Sequence, residues 1–510
     1  MVLSRRTSHL LLSLILISYL VLAMLYALNT PKWQAPDEPA HYNYIEFVAM
    51  EGALPVLEVG DYPHEYLEEI KTARFPPRMS IAPIRYEFHQ PPLYYVLGAI
   101  LYRLTVVLGF DQQFLILRLF SVMLGAIGLW VTYRMARDIF SQDAEGMGDF
   151  GGELLALAAT GFAAIVPMHI AMTAAINNDT LAELLVLLIL WQCIHAIRKG
   201  LDTRRAIVTG ILLGLALWTK TTIYMSAVGV VVLAVLLTAK SQDDPPNTPS
   251  LTKVHYLFSV FALALLIAAP WFVRNALVYG HLDALAWQRH DLVVAGQLRT
   301  AELLADIGPV RLVERFASTT FRSFWAQFGW MGVVVDDRIY QALALLCGVL
   351  ALGFLVFVLR VWRGQIKLTV RQGHVLLFMG ASASLSVLTY LGYNIRFVQH
   401  QGRYLFPALG PLAMGVALSL QEILRRRTAR LLTIALLMGT LFVLVQGALS
   451  GVMHKWSLAS LVAGAVLLAS AERVPTKWRW LPLASLYAAF LALNPLLVYA
   501  YIIPGLQSTG

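Results

Sequence analysis

Thirteen stretches of about twenty apolar residues leave this chain little choice of fold. They lie near 10–28, 118–138, 153–174, 180–198, 204–219, 221–239, 254–273, 340–361, 373–391, 404–421, 430–449, 456–471 and 480–503. A helix needs roughly 20 apolar residues to cross the hydrocarbon of a bilayer, and there every backbone polar group must be bonded within the segment. The expectation is an all-α polytopic membrane protein, one transmembrane domain over residues 1–510, with about thirteen spans. Charged residues make up 14% of the chain, well below the roughly 25% of soluble domains. The net charge of +9 does not point to nucleic acid, because the basic residues sit in short loops between apolar runs. Two cysteines, Cys193 and Cys347, both inside apolar runs, are too few for a disulfide framework or a zinc site. The first run, Leu10–Leu28, is too long for a signal peptide core and reads as a retained anchor.

A fourteenth stretch, 92–109, opens with Pro91-Pro92 and contains Arg103. Charge parity decides it. If it does not cross, nineteen basic residues, among them Arg137, Arg205, Arg371 and Arg425–Arg427, share the side of the N-terminus, and the short loops opposite hold four. The positive-inside rule then puts the nineteen in the cytoplasm. Two large external loops follow, 29–113 and 274–339, and 404–510 holds the last spans. The stretches 141–152 and 241–250 read as cytoplasmic linkers, and no fixed repeat is visible.

On this topology the unusual polar residues collect on the outer face: Asp37, Glu38 and His41; Glu87, His89 and Gln90; Asn177–Thr180 with Asp179; Lys220; Arg274; and Arg403 in "NIRFVQHQGRYLFP". Singly each has a plain reading. Asp37-Glu38 is a proline-bracketed turn, His89–Pro92 a helix start, and Asn177–Thr180 an N-cap. Lys220 can snorkel, Arg274 and Arg403 can anchor span ends, and "RSFWAQFGWM" (322–331) can lie on lipid. Their coincidence on one side is the argument for a site.

The order "PDEPAHYNYIEFVAMEGALPV", "HQPPLYYVLGAILYRL", "NNDTLAELL", "LGLALWTKTT", "RSFWAQFGWM", "QGRYLFPALGP" resembles the GT-C superfamily of membrane glycosyltransferases. In particular it is similar to the protein O-mannosyltransferase-like and aminoarabinose-transferase-like branch, from about Leu10 to Leu420. The resemblance implies a GT-C-type bundle and a polyprenyl-phosphate or polyprenyl-diphosphate sugar donor. It implies transfer on the non-cytoplasmic face, usually with inversion. Asp37 matches the catalytic base, with Glu38 beside it. Asp179 matches the second acidic position, for acceptor or metal, and 92–109 matches the juxtamembrane helices. The chain carries no appended soluble carbohydrate-binding domain, which weakens the case for a protein acceptor over a glycan or lipid.

The chemistry asks for the same groups. A fixed carboxylate, Asp37, can take the acceptor proton. Arg403, Arg274 and Lys220 can meet the phosphate charge, arginine through its fork. Alternatively a divalent cation (Mg, Mn or Zn) could bridge Asp37, Asp179 and His89; no cofactor is certain. Phe324, Trp325, Phe328 and Trp330 are candidates for the mouth of a lipid groove. A flippase or transporter would carry charges at mid-span and paired broken helices, of which the sequence shows little, and a non-catalytic member of the fold is the other alternative. The expected home is the plasma membrane of a bacterium or archaeon.

Overall fold

The computed structural model describes residues 4–140, 151–238, 251–473, 475, 478 and 480–507. Residues 141–150 of the expected linker 141–152, the whole linker 241–250, and Lys240, Lys477 and Arg479 lie outside the described residues. The chain is helical nearly throughout: α1 (Arg5–Asn29), α2 (Glu38–Glu51), α3 (His64–Thr72), α4 (Leu93–Thr105), α5 (Phe110–Phe140), α6 (Gly152–Ile165), α7 (Pro167–Thr173), α8 (Asp179–Lys199), α9 (Thr203–Leu217) and α10 (Tyr224–Leu237). There follow α11 (Lys253–Tyr279), α12 (Trp287–Val293), α13 (Thr300–Trp325), α14 (Asp337–Trp362), α15 (Val370–Arg396), α16 (Leu409–Ile423), α17 (Arg426–Ser450), α18 (Lys455–Arg473), α19 (Leu481–Leu497) and α20 (Ile503–Leu506). A two-stranded hairpin, β1 (Gln327–Phe328) with β2 (Val333–Val334), is antiparallel.

Among the described residues, nine helical segments are long and apolar enough to cross a membrane, or ten if α6 and α7 count as one broken span. The expected count of about thirteen is not confirmed, although a helix occupies every one of the thirteen stretches. Of the four stretches not counted, α18 has 19 residues and falls outside the nine, and the other three have simple causes. Helices α9 and α10 have only 15 and 14 residues. Pro167 begins α7 and holds Val166 extended, because the ring of a proline excludes the helical conformation of the residue before it. The two pieces therefore meet at 69°.

Contacts between helix ends show that the chain runs back and forth between two ends of the bundle. At one end, Arg118 on α5 donates to the carbonyls of Ala27 and Thr30 at the close of α1. There too Asn178 before α8 donates to Thr219 after α9, and Leu57 donates to Tyr279 at the close of α11. At the other end Arg137 pairs with Glu153, Arg360 with Glu422 and Arg430 with Glu472. Helix α4 stays at the first end. Its Leu93 N–H donates to Trp218 O at 2.9 Å, and Tyr102 O near its close accepts from Gln113 Nε2 at 2.9 Å.

Residues 31–109 are folded in rather than looped out. Helix α2 is buried from Glu38 to Ile45, and Tyr44 stacks on Tyr95 of α4 with centroids 3.7 Å apart. The second large segment begins later than expected, since α11 continues through Pro270 and Arg274 to Tyr279. The stretch 322–331 does not lie on lipid. Trp325 closes α13 in the core against Phe490, and Phe328 in the hairpin faces Tyr26. The helix ends at Trp325, and the tight strand pair that follows turns Phe328 inward where a continuous helix would have shown one face to lipid.

The alternation has a direct check. Single cysteines at Glu58 and Arg427, both exposed, should react with a membrane-impermeant thiol reagent from opposite faces of sealed vesicles. Labelling of both from one face would overturn it.

Candidate functional site

Asp37 sits at the head of α2 with φ 66° and ψ −3°. A non-glycine residue in this left-handed region costs on the order of 1–3 kcal/mol and persists only where its surroundings enforce it. The enforcement comes from the next residue. Glu38 is fully buried and takes a two-pronged bond from Arg118, Nε to Oε1 at 2.8 Å and Nη2 to Oε2 at 2.7 Å. Its two oxygens also accept the N–H groups of Ile176 and Trp33. The remaining Arg118 donors go to the carbonyls of Ala27, Thr30 and Pro31, and its guanidinium lies over Phe114. One ion pair thus ties α1, α2, α5 and the segment before α8. Glu38 points away from Asp37's partners and has no spare lone pair for chemistry.

The Asp37 carboxylate faces the other way. Oδ1 accepts from the Tyr86 hydroxyl at 2.7 Å, and Oδ2 accepts from Arg403 Nη2. Burial works to raise this carboxyl, but the Arg403 guanidinium, His41 and the Tyr86 bond outweigh it and hold it down at about 2. Arg403 reaches this place because of the glycine before it. A Cβ on Gly402 would lie 2.4 Å from Phe324 N and from Thr320 O of α13, so only glycine allows that close approach. Gly402 N–H then donates to Ser323 Oγ at 2.7 Å.

Asp179 opens α8 and pairs with Lys220 at 2.8 Å, while Lys220 also donates to Asn178 Oδ1 at 2.9 Å. The N-cap position is Asn178, whose side chain makes no capping bond, and Asn177 Oδ1 accepts from Thr180 N–H in the first turn. His41 is buried with Nδ1 2.8 Å from the Tyr95 hydroxyl, and burial lowers its pKa. Glu87 lines the same cavity as Asp37, and its buried Oε2 has no partner. Burial raises the Glu87 carboxyl, with His41 opposing the rise and Asp37 adding to it.

The expected residues therefore divide. Asp37, Arg403, Asp179 and Lys220 converge. Arg274 does not join them; it donates to the carbonyls of Leu54 and Pro55 and lies over Trp271 and Tyr279. His89 donates Nδ1–H to Tyr86 O at 2.8 Å, has Nε2 against the Gln90 amide, and lies 4.3 Å from the His290 ring. The three residues considered for a metal are each engaged elsewhere, and among the described residues no three acidic, His or Cys side chains gather to hold an ion. The sequence reading missed Arg118, Tyr86, Tyr393 and Tyr404. Arg118 had a signal, being a charge at the start of an apolar run, where such residues are rare and paired.

Two cavities meet at Arg403. One, of about 470 Å³, holds Asp37, Tyr86, Glu87, His290, Gln401 and Trp330. The other, about 80 Å³, holds Asp179, Ser226, Ser386, Thr389 and Pro407. One turn further along α10, α15 and α16 begins an apolar groove of about 1270 Å³ lined by Gly229, Leu385, Leu388, Pro411 and Phe354. Phe324, Trp325, Phe328 and Trp330 line no part of that groove; Phe324 packs on Phe406, and Trp330 donates to Trp33 O.

Residues 89–273 match the family model of dolichyl-phosphate-mannose-protein mannosyltransferases. That match spans three of the six motifs and includes His89, Asp179 and Lys220, while Asp37 and Arg403 lie outside it. No curated protein matches the chain. Among solved structures, ArnT from Cupriavidus metallidurans bound to undecaprenyl phosphate aligns with a TM-score of 0.49 at 14% identity, covering 96% of this chain and 77% of that one. The Archaeoglobus fulgidus oligosaccharyltransferase, tethered with an acceptor peptide containing the NVT sequon, aligns at 0.39 and 15% identity, covering 94% and 55%.

Two outcomes follow from the geometry. Arg118→Met should destabilise the protein by about 3–5 kcal/mol, since it leaves a buried carboxylate unpaired; thermal unfolding in detergent reads this, and Glu38→Gln added to it should recover part of the loss. His89 is pushed down to about 4, chiefly by burial. A histidine buried neutral binds fewer protons than the unfolded chain, so its stability contribution is complete above about 6.5 and is lost as pH falls from there to about 4. Melting temperature should decline across that window, and His89→Asn should flatten the decline.

Proposed function

We propose that this chain moves a sugar from a polyprenyl-phosphate donor to an acceptor hydroxyl on the extracytoplasmic side of the membrane, with Asp37 as general base. The glycosyltransferase class rests on the family match over residues 89–273. The observation that carries the mechanism is the position of Asp37: a half-buried carboxylate lining a polar cavity, with Arg403 and Lys220 nearby and an apolar groove beyond them.

Three requirements of the reaction find candidates there. The acceptor O–H gives its proton to Asp37 as its oxygen bonds to the anomeric carbon. The bond from that carbon to the phosphate oxygen breaks, and the phosphate leaves with the electron pair. Arg403 and Lys220 meet the charge that develops, which is the larger part of such catalysis. The prenyl tail lies in the groove between α10, α14, α15 and α16, and the acceptor enters the cavity of Asp37. Glu38 acts through Arg118 as a positioning residue, and no step is assigned to a divalent ion. The side assignment follows from charge. The cavity opens at the end of the bundle opposite Arg360, Arg425–Arg427 and Arg430, and cytoplasmic loops concentrate such residues. The acceptor is a glycan, lipid or protein hydroxyl, and the membrane is the plasma membrane of a bacterium or archaeon.

The test is turnover by purified protein on a panel of polyprenyl-phosphate sugars. Wild type should transfer or slowly hydrolyse at least one of them. Asp37→Asn should lower the rate by about 10²–10⁴-fold with the fold intact by melting temperature. A wild-type rate in that variant refutes the assignment.

A further inference from the structure

Arg403 forms part of the wall between the two cavities. With Tyr393 and Tyr404 it lines both. On the acceptor side Arg403 Nη2 is bound to Asp37, while its Nε is buried without a partner. Asp179, on the other side, already has Lys220. The guanidinium is therefore strongly held at one position and unsatisfied at another, and a buried donor without a partner is costly. Asp37 is correspondingly weak as a base. Each of its oxygens keeps a lone pair beside the bond it accepts, from Arg403 and Tyr86, but an acceptor hydroxyl meets a carboxylate whose charge the guanidinium already offsets.

A lipid phosphate arriving along the groove changes this balance. It brings more charge than one carboxylate and offers several oxygens to a planar fork, the geometry in which arginine binds most strongly. We propose that the donor phosphate takes Arg403 from Asp37, so that donor binding and release of the base are one event. In the empty protein the Arg403–Asp37 pair is a latch. It keeps the base quiet until a leaving group is seated, and it makes the donor bind before the acceptor reacts. Tyr86 stays on Oδ1 and holds the freed carboxylate in place, with His41 and Glu87 among the other ionisable groups around it. This inference rests on the glycosyl-transfer reading of the same cavity.

The latch makes a prediction that a plain base does not. Binding of polyprenyl phosphate carrying no sugar should cost wild type the breaking of the pair, because a ligand's apparent affinity is reduced by what it must undo. Affinity of the purified full-length protein for that probe should therefore rise about tenfold in Asp37→Asn, the scale of one charge-assisted hydrogen bond. Arg403→Gln should weaken binding, and Asp37→Asn placed on Arg403→Gln should add nothing. Asp37→Ser gives the same reading should the asparagine variant not fold. Equal or weaker binding by the Asp37 variants, or a gain that survives in the Arg403→Gln background, overturns the latch. Failure of the glycosyl-transfer reading shows elsewhere, as undiminished turnover in Asp37→Asn.

Discussion

The buried ion pair of Glu38 and Arg118 is the constraint on which the rest of the site depends. Two charges withdrawn from water cost several kcal/mol each unless nearly all their bonding capacity is used. Here it is: the carboxylate takes four bonds, and every guanidinium nitrogen donates. Such a pair tolerates little displacement, so it fixes the close of α1, the start of α2 and the segment before α8 in one arrangement. The left-handed turn at Asp37 is then imposed from outside, and its carboxylate has one direction left to face.

Charge pairing organises what lies beyond it. Asp37 has Arg403, Asp179 has Lys220 and Glu68 has Lys71, while Glu87 lines the cavity with an unpartnered oxygen. An arrangement that satisfies its carboxylates with a few cations is poised to respond when an anion competes for those cations. The cavity is polar on the side of Asp37 and becomes apolar one helical turn further along α10, α15 and α16. A ligand with a phosphate between a sugar and a hydrocarbon chain would match that change of character.

Much of this was legible in the chain. Apolar run length gave a helix at every expected span, and charge parity put 92–109 at one end of the bundle, where α4 lies. The clustering of Asp37, Asp179, Lys220 and Arg403 was also readable, because each sits at a helix end and alternation sends those ends to the same side. Arg274 obeys the same parity and still fails to join them. Parity assigns a side but says nothing about position within the plane of the bundle, and α11 stands where its arginine meets the loop at Leu54–Pro55. The aromatic stretch at 322–331 misled for a related reason, since a helical reading cannot foresee the helix end at Trp325 or the two-residue strands that turn Phe328 inward.

The sequence by itself determined the helices, their alternation and the face on which the polar residues gather, because those follow from one-dimensional patterns of hydrophobicity and charge acting against a bilayer. Only the tertiary structure decided which acid faces the cavity and which is spent in an internal ion pair. Asp37 and Glu38 are neighbours of the same chemical kind, and the chain alone treats them alike. A reversal of backbone direction at a single residue sends one into a cavity beside Arg403 and the other into the grip of Arg118, eighty positions away, and contacts at that separation are set by packing.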